Sequence, residues 1–425
     1  MFACQSHDDI LKAYERARDV YKRFGVNTDE TLAAMESVHI SLHCWQGDDF
    51  VGFEGQDELS GGGILATGNY PGRARTGDEL RQDYDKAFSL IPGTHRANLH
   101  SIYAEPSSGK PDRDELTAEH FSKWIAWARR RGIGLDFNPT FFSHPRAASG
   151  YTIAGKDART RDFWIRHGKA CRRIAAEIGK QQGGECVNNL WIPDGSKDLP
   201  ADRLTHRQIL KESLDEIYAE KLDRKYIADS VESKLFGIGS ESFVVGSHEF
   251  YLGYALRNDI MICFDLGHFH PTEEVGDKLS AVLVYLDKLL LHVSRGVRWD
   301  SDHVVILSDE LLGIAREIKR CGALDTVRVA LDFFDAGINR VTAWVTGTRA
   351  ALKALLIAML EPTELLRAEE ERGNLGNRLA LMEEIKALPW GSVWDKFCVD
   401  HSTPAGASWL NDIAAYEEQV QGKRT

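Results

Sequence analysis

The stretch that decides the fold of this chain is Ile262-Cys-Phe-Asp-Leu-Gly-His-Phe-His270. Its apolar beginning predicts a buried strand from Ile260 to Phe264, and the strand leads directly into Asp265, with His268 three residues later. A buried strand that ends in ligand-type residues is how a parallel α/β protein presents a metal ion to a pocket. A single Asp-x-x-His is nevertheless more often a capped turn than a metal site, so the remaining sequence has to decide between the two.

The composition is that of an ordinary globular protein of 425 residues, with 43% hydrophobic and 27% charged residues. The formal net charge is -12, and the sequence pI is about 5.7. A nucleic-acid-binding protein would show a basic patch or stripe, so we expect no nucleic-acid partner. An excess of carboxylates suits a protein that gathers acids to hold cations.

The seven cysteines are scattered, odd in number and without a Cys-x-x-Cys pair. This pattern argues against a disulfide framework or a thiolate zinc site. The N-terminus lacks the basic start and apolar run of a signal peptide, and no apolar run approaches membrane-spanning length. We therefore expect a cytoplasmic protein without a membrane partner.

Strand and helix patterns alternate along the chain, and eight strand candidates are separated by helices. The predicted strands cover residues 38–44, 97–103, 134–138, 186–192, 226–232, 259–264, 289–293 and 327–333. Such alternation implies a parallel sheet with right-handed crossovers. Eight units predict an α/β fold of the (β/α)₈ type, a TIM barrel.

Helical patterns flank the predicted barrel on both sides. We predict an N-terminal helical segment at 1–36, the barrel with its catalytic site at 37–345 and a C-terminal helical extension at 346–425. The extension is charged, and it is expected either to present a solvated face or to pack on a neighbouring subunit. For the glycine-rich stretch 45–72, which follows the first strand, a lid over the site and a mobile surface insertion both stay open.

Four successive predicted strands end in residues that can bind a cation, namely Glu232, Asp265, His292 and Asp332. Ligands and catalytic residues of barrels come from the carboxyl ends of several strands. Carboxylate oxygens with one imidazole suit Mn²⁺, Mg²⁺, Co²⁺ or Zn²⁺ rather than a soft-metal site. The sequence therefore predicts one metal site that these four residues surround.

A second group lies close by in sequence and consists of His268, Asp300 and Asp302. An Asp-x-Asp loop can present two carboxylates to one ion, which predicts a second, more open metal site with room for water and substrate. Asp265 is placed to bridge the two ions. For any single residue a capped turn, a core histidine or a buried acid is the commoner explanation, but seven such residues at strand ends favour the metal sites.

Three further residues are predicted to contact a substrate. Lys234 lies two positions after Glu232 and would polarise a hydroxyl or carbonyl group, with a surface lysine as the alternative. His100, at the end of the second strand, would bond a hydroxyl or ring oxygen. Trp191, at the end of the fourth strand, would form an apolar wall. Core packing is the alternative for these last two residues.

Long motifs also carry a resemblance to a known family. The most specific of them are Glu232-Ser-Lys-Leu-Phe-Gly-Ile-Gly239, Asp265-Leu-Gly-His-Phe-His-Pro-Thr-Glu273, Arg298-Trp-Asp-Ser-Asp-His303 and Leu331-Asp-Phe-Phe-Asp-Ala336. Through these motifs the chain resembles the bacterial L-rhamnose isomerases along essentially its whole length. The layout is also similar to that of xylose isomerase.

The resemblance implies a homotetrameric aldose–ketose isomerase that uses Mn²⁺ and interconverts L-rhamnose and L-rhamnulose at the start of L-rhamnose catabolism. It implies two divalent metal sites per subunit, with Zn²⁺ or Co²⁺ as alternatives at one of them. The first group of four residues matches the structural site, and the second group of three matches the catalytic site. His270 matches no ligand, so we expect a supporting or core histidine there. Which other aldoses are accepted stays open.

Aldose–ketose isomerisation moves one hydrogen between C1 and C2 and one between O1 and O2. We expect a hydride shift between the carbons, with water on the catalytic ion relaying the proton between the oxygens. An ene-diol path with a carboxylate or metal-bound hydroxide as base is the alternative. The residues predicted to take part are Asp302, His268, Lys234 and Asp332. The rival functions are a related isomerase of another aldose and a metal-dependent phosphodiesterase on the same barrel, which the negative net charge disfavours.

Overall fold

Eight parallel strands close into a barrel in the computed structural model, which describes residues 2–43, 50, 52–54, 70–234, 242–297, 302–333 and 335–424. Each strand pairs with its neighbours in the chain, and the last strand pairs with the first. The predicted (β/α)₈ barrel is therefore confirmed. Its strands are β1 (Ile40–Leu42), β2 (Arg96–His100), β3 (Gly134–Asn138), β4 (Cys186–Trp191), β5 (Ile227–Glu232), β6 (Met261–Asp265), β7 (Leu289–Val293) and β8 (Val327–Leu331).

The described helices lie around the barrel and at both ends of the chain. They are α1 (His7–Lys22), α2 (Thr28–Met35), α3 (Gly77–Phe88), α4 (Ser122–Arg131), α5 (Ala158–Gln182), α6 (Arg203–Ile217), α7 (His248–Asn258), α8 (Val275–Leu283), α9 (Asp309–Arg320), α10 (Arg340–Met359), α11 (Thr363–Glu371), α12 (Leu375–Glu384), α13 (Trp390–Asp400) and α14 (Trp409–Gln419). Helices α3 to α10 alternate with the strands. The remaining helices, α1, α2 and α11 to α14, precede or follow the barrel in the chain, and α1 packs against α13.

Several strand limits differ from the predicted ones by a few residues, and the structure gives a local reason for two of the differences in element boundaries. The strand predicted from residue 259 begins at Met261, because Asp259 ends α7 in a left-handed conformation with φ of 51°. The sequence pattern also predicts a helix from residue 241, but helix α7 begins at His248. Before it, Phe243–Val244 pairs in an antiparallel manner with Gly195–Ser196. A strand of two residues carries no periodic pattern, so nothing in the sequence distinguished it from the following helix.

Alternate side chains of the strands point into the barrel, and this alternation places the ligand-type residues in one layer. Asp265 is the last residue of β6 and lies beside His292 of β7 in the register of the sheet. Glu232 is the last residue of β5 and lies beside Cys263. Asp332 follows directly after β8. All five of these side chains are buried at or near the carboxyl end of the barrel.

A small apolar cluster fills the barrel beneath this ligand layer. Its members are Val187, Ala228, Met261, Cys263, Leu290 and Ala330. Met261 and Cys263 precede Asp265 at a spacing of two along β6, so all three point to the same interior. The interior is therefore a packed floor for the ligand layer rather than a pore.

Helix α10 is continuous across the predicted boundary between residues 345 and 346, and it packs against β1, α3 and α9. The division of the chain into three regions stays a prediction, and most of the glycine-rich stretch 45–72 lies outside the described residues. Within the described ranges, no single helix has both the length and the apolar composition needed to cross a membrane. The bent pair of α10 and α11 passes the same criteria together.

We expect the stability of the protein to fall between pH 7 and pH 5, partly because of one buried neutral histidine. His167 donates from Nδ1 to the Arg113 carbonyl at 3.0 Å, and its Nε2 accepts from Thr140 N at 3.3 Å. Burial lowers the pKa of His167 to about 3. The unfolded chain, with a pKa of about 6.5, binds the proton first, so this group costs about 2 kcal/mol of stability at pH 5.

The measurement is the thermal midpoint at pH 7 and pH 5 of the wild type, of His167→Gln and of His7→Gln, an exposed control on α1. The difference in thermal midpoint between the wild type and His167→Gln should be smaller at pH 5 than at pH 7. The midpoint of His7→Gln should change with pH as that of the wild type does. A gap that is constant with pH would contradict the assignment.

Candidate metal centre

Three carboxylates and an imidazole converge at the carboxyl end of the barrel. One ligand atom from each of Glu232, Asp265, His292 and Asp332 lies within 4.8 Å of the others. His292 Nδ1 is 3.0 Å from Asp332 Oδ2, 3.3 Å from Glu232 Oε2 and 3.6 Å from Asp265 Oδ2. The structure thus brings together all four residues of the first predicted group.

Asp265, His268 and Asp302 form a second group, whose ligand atoms also lie within 4.8 Å of one another. His268 Nδ1 is 2.9 Å from the carbonyl oxygen of Ser233, a contact of the type by which a metal-binding histidine fixes its tautomer. Ser294 Oγ donates to Asp302 Oδ1 at 3.2 Å. Asp265 therefore belongs to both groups, in the place predicted for a bridging ligand.

Asp302 reaches this group through a short antiparallel pair that no sequence pattern predicted. Asp302–His303 pairs with Arg295–Gly296, which follows β7. Asp300, the other acid of the predicted Asp-x-Asp, lies outside the described residues. Two of the three residues of the predicted second site are thus brought together, and the role of Asp300 stays a prediction.

The capped turn that was the alternative explanation of the Asp-x-x-His is also present. Leu266–His268 forms a single 3₁₀ turn, and Gly267 N donates to Asp265 Oδ1 at 2.7 Å. The other oxygen, Asp265 Oδ2, is buried and accepts no hydrogen bond from the described residues. One carboxylate therefore caps the turn with one oxygen and presents the other to the ligand layer. His270 lies outside both groups, with Nδ1 at 2.7 Å from Thr272 Oγ1.

Three residues of this cluster have raised pKa values, so they hold protons more strongly than the free side chains do. Burial would lower the pKa of His268, but the charge of Asp265, the contact with Glu232 and the charge of Asp302 together outweigh it and raise that pKa to about 10. Burial raises the pKa of Asp332 to about 7. Burial and the charge of Asp265 hold the pKa of Asp302 well above its ordinary value. A divalent cation would supply positive charge in place of these protons, because it displaces protons from its ligands when it binds.

The donor set therefore fits a divalent metal ion in each group. Carboxylate oxygens and imidazole nitrogens are the ligands that Mn²⁺, Mg²⁺, Co²⁺ and Zn²⁺ accept in proteins. A buried acceptor without a donor calls for a partner, and Asp265 Oδ2 is such an atom. A divalent metal cofactor is consistent with this structure, whereas its identity as Mn²⁺ stays a proposal.

An aromatic and cationic wall lies beside the second group. The Trp191 ring stacks on His268 with centroids 6.4 Å apart, and Lys234 Nζ lies 5.0 Å from the centre of the indole. Phe142 packs edge-on against Trp191 at 5.7 Å. Lys234 is only 6% exposed, so a surface lysine is excluded. The predicted substrate contacts of Lys234 and Trp191 stay predictions.

His100 is held by protein partners on both ring nitrogens. Its Nε2 is 3.0 Å from His43 Nε2, and its Nδ1 is 3.3 Å from Thr140 Oγ1. Burial, together with the charge of Arg113, lowers the pKa of His100 to about 3, so the ring is neutral. A bond from His100 to a substrate hydroxyl, which stays a prediction, would have to replace one of these contacts.

His43 and Asn189 support the ligands, and the sequence analysis did not single them out. His43 Nδ1 is 3.4 Å from Asp332 Oδ1, and Asn138 Nδ2 donates to His43 Nε2 at 2.7 Å. Because Nε2 accepts, the proton of the neutral ring sits on Nδ1 and faces Asp332. Asn189 donates from Nδ2 to Glu232 Oε2. The position of His43 in the sequence could have indicated its role, because His43 follows β1 directly, as Asp332 follows β8.

We expect His43→Asn to raise the Kd for Mn²⁺ roughly 10- to 100-fold, the usual cost of removing a residue that orients a metal ligand. Mn²⁺ binding to chelator-treated protein can be followed by calorimetry. His95→Asn is a matched control, since His95 is as buried as His43 but bonds only to backbone groups at the other end of the barrel. An unchanged Kd in His43→Asn would contradict the positioning role.

A closed (β/α)₈ barrel with two groups of carboxylates and imidazoles at the carboxyl ends of its strands defines a class of protein, the barrel enzymes with a candidate two-metal centre. A family model described as L-rhamnose isomerase matches residues 8–424. The chain belongs to the L-rhamnose isomerase family.

Curated relatives agree with this family over nearly their whole length. The L-rhamnose isomerase of Rhodopirellula baltica is 57% identical over 417 residues, which cover 98% of this chain and 97% of the relative. Those of Mannheimia succiniciproducens and Listeria monocytogenes are 55% and 52% identical, and each match covers 98% of this chain and 99% of the relative. The resemblance and the isomerase class predicted from the sequence are thereby confirmed.

Proposed function

We propose that the chain interconverts L-rhamnose and L-rhamnulose and so performs the first step of L-rhamnose catabolism. The family match over residues 8–424 carries this proposal. Two ligand groups that share Asp265 support a two-ion centre for the reaction. A phosphodiesterase, the rival from another class, has no support from the relatives, and the net charge of -12 disfavours a nucleic-acid substrate.

The proposed cofactor is Mn²⁺ at both sites, with Zn²⁺ or Co²⁺ as alternatives at one of them. Bound there, divalent ions supply Lewis-acid polarisation of the sugar carbonyl and acidify nearby water. The structural ion would be held by Glu232, Asp265, His292 and Asp332. The catalytic ion would be held by His268, Asp300 and Asp302, with Asp265 shared.

The chain's own side chains bind and orient the sugar. Trp191 offers its indole as a wall for the apolar face of the ring-opened sugar. Lys234 supplies a buried positive charge beside this wall, 5.0 Å from the indole centre, and stabilises the alkoxide that develops during the reaction. Asp302 and His268 complete the polar side of the site. His100 binds a hydroxyl or ring oxygen.

The proposed reaction is a hydride shift. From L-rhamnose, hydrogen with its electron pair leaves C2 for C1, O2 loses its proton and O1 gains one, with water as the relay. No protein base is needed at carbon. An ene-diol path would instead pass the carbon-bound hydrogen through a base that exchanges with solvent. Isomerisation of L-rhamnose in D₂O distinguishes the two, because deuterium bound to C1 of the L-rhamnulose formed would exclude the hydride shift.

The test of the function is the formation of L-rhamnulose from L-rhamnose by the purified protein. We expect activity to disappear on treatment with EDTA and to return with Mn²⁺. Other aldoses are assayed in parallel, and faster turnover of one of them would make that sugar the substrate. No ketose from any aldose with Mn²⁺ supplied would refute the isomerase.

We also propose a cytoplasmic homotetramer with the C-terminal extension in subunit contacts. The described cysteines are all free, as expected in a reducing compartment. No residue of α12 is buried, and its Leu375 and Leu379 are 54% and 60% exposed. The double substitution Leu375→Glu with Leu379→Glu should yield a smaller species in light scattering. A tetramer that survives this change would place the contact elsewhere.

A further inference from the structure

A buried thiol lies next to the first ligand group. Cys263 occupies the inward position two residues before Asp265 and is 1% exposed. In the register of the sheet it lies beside Glu232. One ligand atom from each of Glu232, Cys263 and His292 lies within 4.8 Å of the others. The ligand atoms of the oxygen-rich set that contains Asp265 lie within the same distance of one another.

His292 is the second observation that points to a ligand at this place. It is 1% exposed, its Nδ1 lies 3.0 Å from Asp332 Oδ2, and its Nε2 makes no hydrogen bond to a described residue. A buried imidazole in this condition is costly unless another partner satisfies it. Cys263 belongs to the apolar cluster that fills the barrel, so the thiol meets His292 from the floor of the ligand layer, while the carboxylates meet it at the carboxyl end.

The two sets of ligands differ in chemical softness. Asp265 and Asp332 contribute only carboxylate oxygens, which suit hard ions such as Mn²⁺ and Mg²⁺. Cys263 contributes a thiolate, which suits softer ions. Zn²⁺ in particular combines sulfur, imidazole and carboxylate ligands in one small tetrahedral site, with water in a remaining position.

We propose that Glu232, Cys263 and His292 form an inner ligand set for a thiophilic divalent ion such as Zn²⁺ or Cd²⁺. An ion held there excludes the ion of the oxygen-rich set, because both sets need Glu232 and His292. On binding, the S–H bond of Cys263 breaks, its electron pair goes to the ion and the proton goes to the buffer. An ion in the inner set therefore lowers the amount of Mn²⁺ that the first ligand group can hold.

The first test is X-ray absorption spectroscopy of the full-length, chelator-treated protein loaded with a single equivalent of Zn²⁺. We expect one sulfur neighbour at about 2.3 Å together with nitrogen and oxygen neighbours. The sulfur should disappear in Cys263→Ala. It should remain in Cys186→Ala, a matched control because Cys186 is equally buried in β4 but belongs to neither ligand group. A wild-type spectrum with only nitrogen and oxygen neighbours overturns the proposal, whether or not a variant folds.

The second test is competition against Mn²⁺, whose release is followed by electron paramagnetic resonance. Zn²⁺ should displace Mn²⁺ from the wild type and from Cys186→Ala at the same concentration. Cys263→Ala should need at least about 10-fold more Zn²⁺, a difference of about 1.4 kcal/mol. Equal concentrations for all three proteins would overturn the inner set. Neither readout depends on turnover of a sugar, so failure of the proposed function is distinguishable from failure of this proposal.

Discussion

We expect Asp302→Asn to lower kcat/KM for L-rhamnose by roughly 10³-fold, which corresponds to about 4 kcal/mol of transition-state stabilisation. Asp302 is buried, and its carboxylate contributes one of the ligand atoms of the second group. The amide is nearly the same size but carries no charge. The second group would then keep only Asp265 and His268 among the described ligands, and the bound Mn²⁺ should fall by about one ion per subunit.

The fold should survive Asp302→Asn, because the amide oxygen can still accept the bond from Ser294 Oγ. Circular dichroism and the thermal midpoint of the chelator-treated protein would establish this. Asp309→Asn, in the exposed first turn of α9, controls for the loss of one charge. Normal turnover by Asp302→Asn with Mn²⁺ supplied would refute its role as a ligand.

Gly267→Ala should lower turnover about 10²-fold or more, although no ligand is changed. A Cβ at residue 267 would overlap Asp302 Oδ1 and would come within 3.3 Å of Asp265 Oδ1. The Asp302 carboxylate would have to leave its observed position, and a displacement of about 1 Å in such a site costs on the order of 10²-fold in rate. Because Gly267 has no side chain, the Asp302 carboxylate can occupy the space next to its Cα.

Steady-state kinetics with saturating Mn²⁺ would measure this effect. Gly253→Ala in α7 is the matched control, because a Cβ there meets nothing within 4 Å and alanine favours a helix. We expect wild-type turnover in the control. Wild-type turnover in Gly267→Ala as well would mean that Asp302 does not need its observed position.

The barrel could be predicted because the same sequence pattern, a short apolar strand followed by a helix, recurs along the chain. Each of β5 to β8 is a short buried run that ends in or beside a polar residue, and the parallel strands bring those ends to the same edge. The first ligand group follows from this geometry without any knowledge of side-chain orientation. Strand and helix limits were less predictable, because a left-handed residue such as Asp259 or a two-residue pair leaves no periodic pattern.

The rest of the site depends on which way individual atoms face. His43 supports Asp332 because its Nε2 accepts from Asn138, and no spacing in the sequence states that. The scattered cysteines argue against a thiolate site, and only the register of β5 against β6 puts Cys263 beside Glu232. The fit between Gly267 and Asp302 joins residues on two separate loops.

The apolar cluster beneath the ligand layer bears on the direction from which ligands would reach the proposed metal sites. Its side chains pack the barrel below the two ligand groups, so ions and sugar would reach the proposed sites from the carboxyl end of the barrel. Ions bound at this depth would load before the sugar, because a sugar bound at the carboxyl end would lie above them.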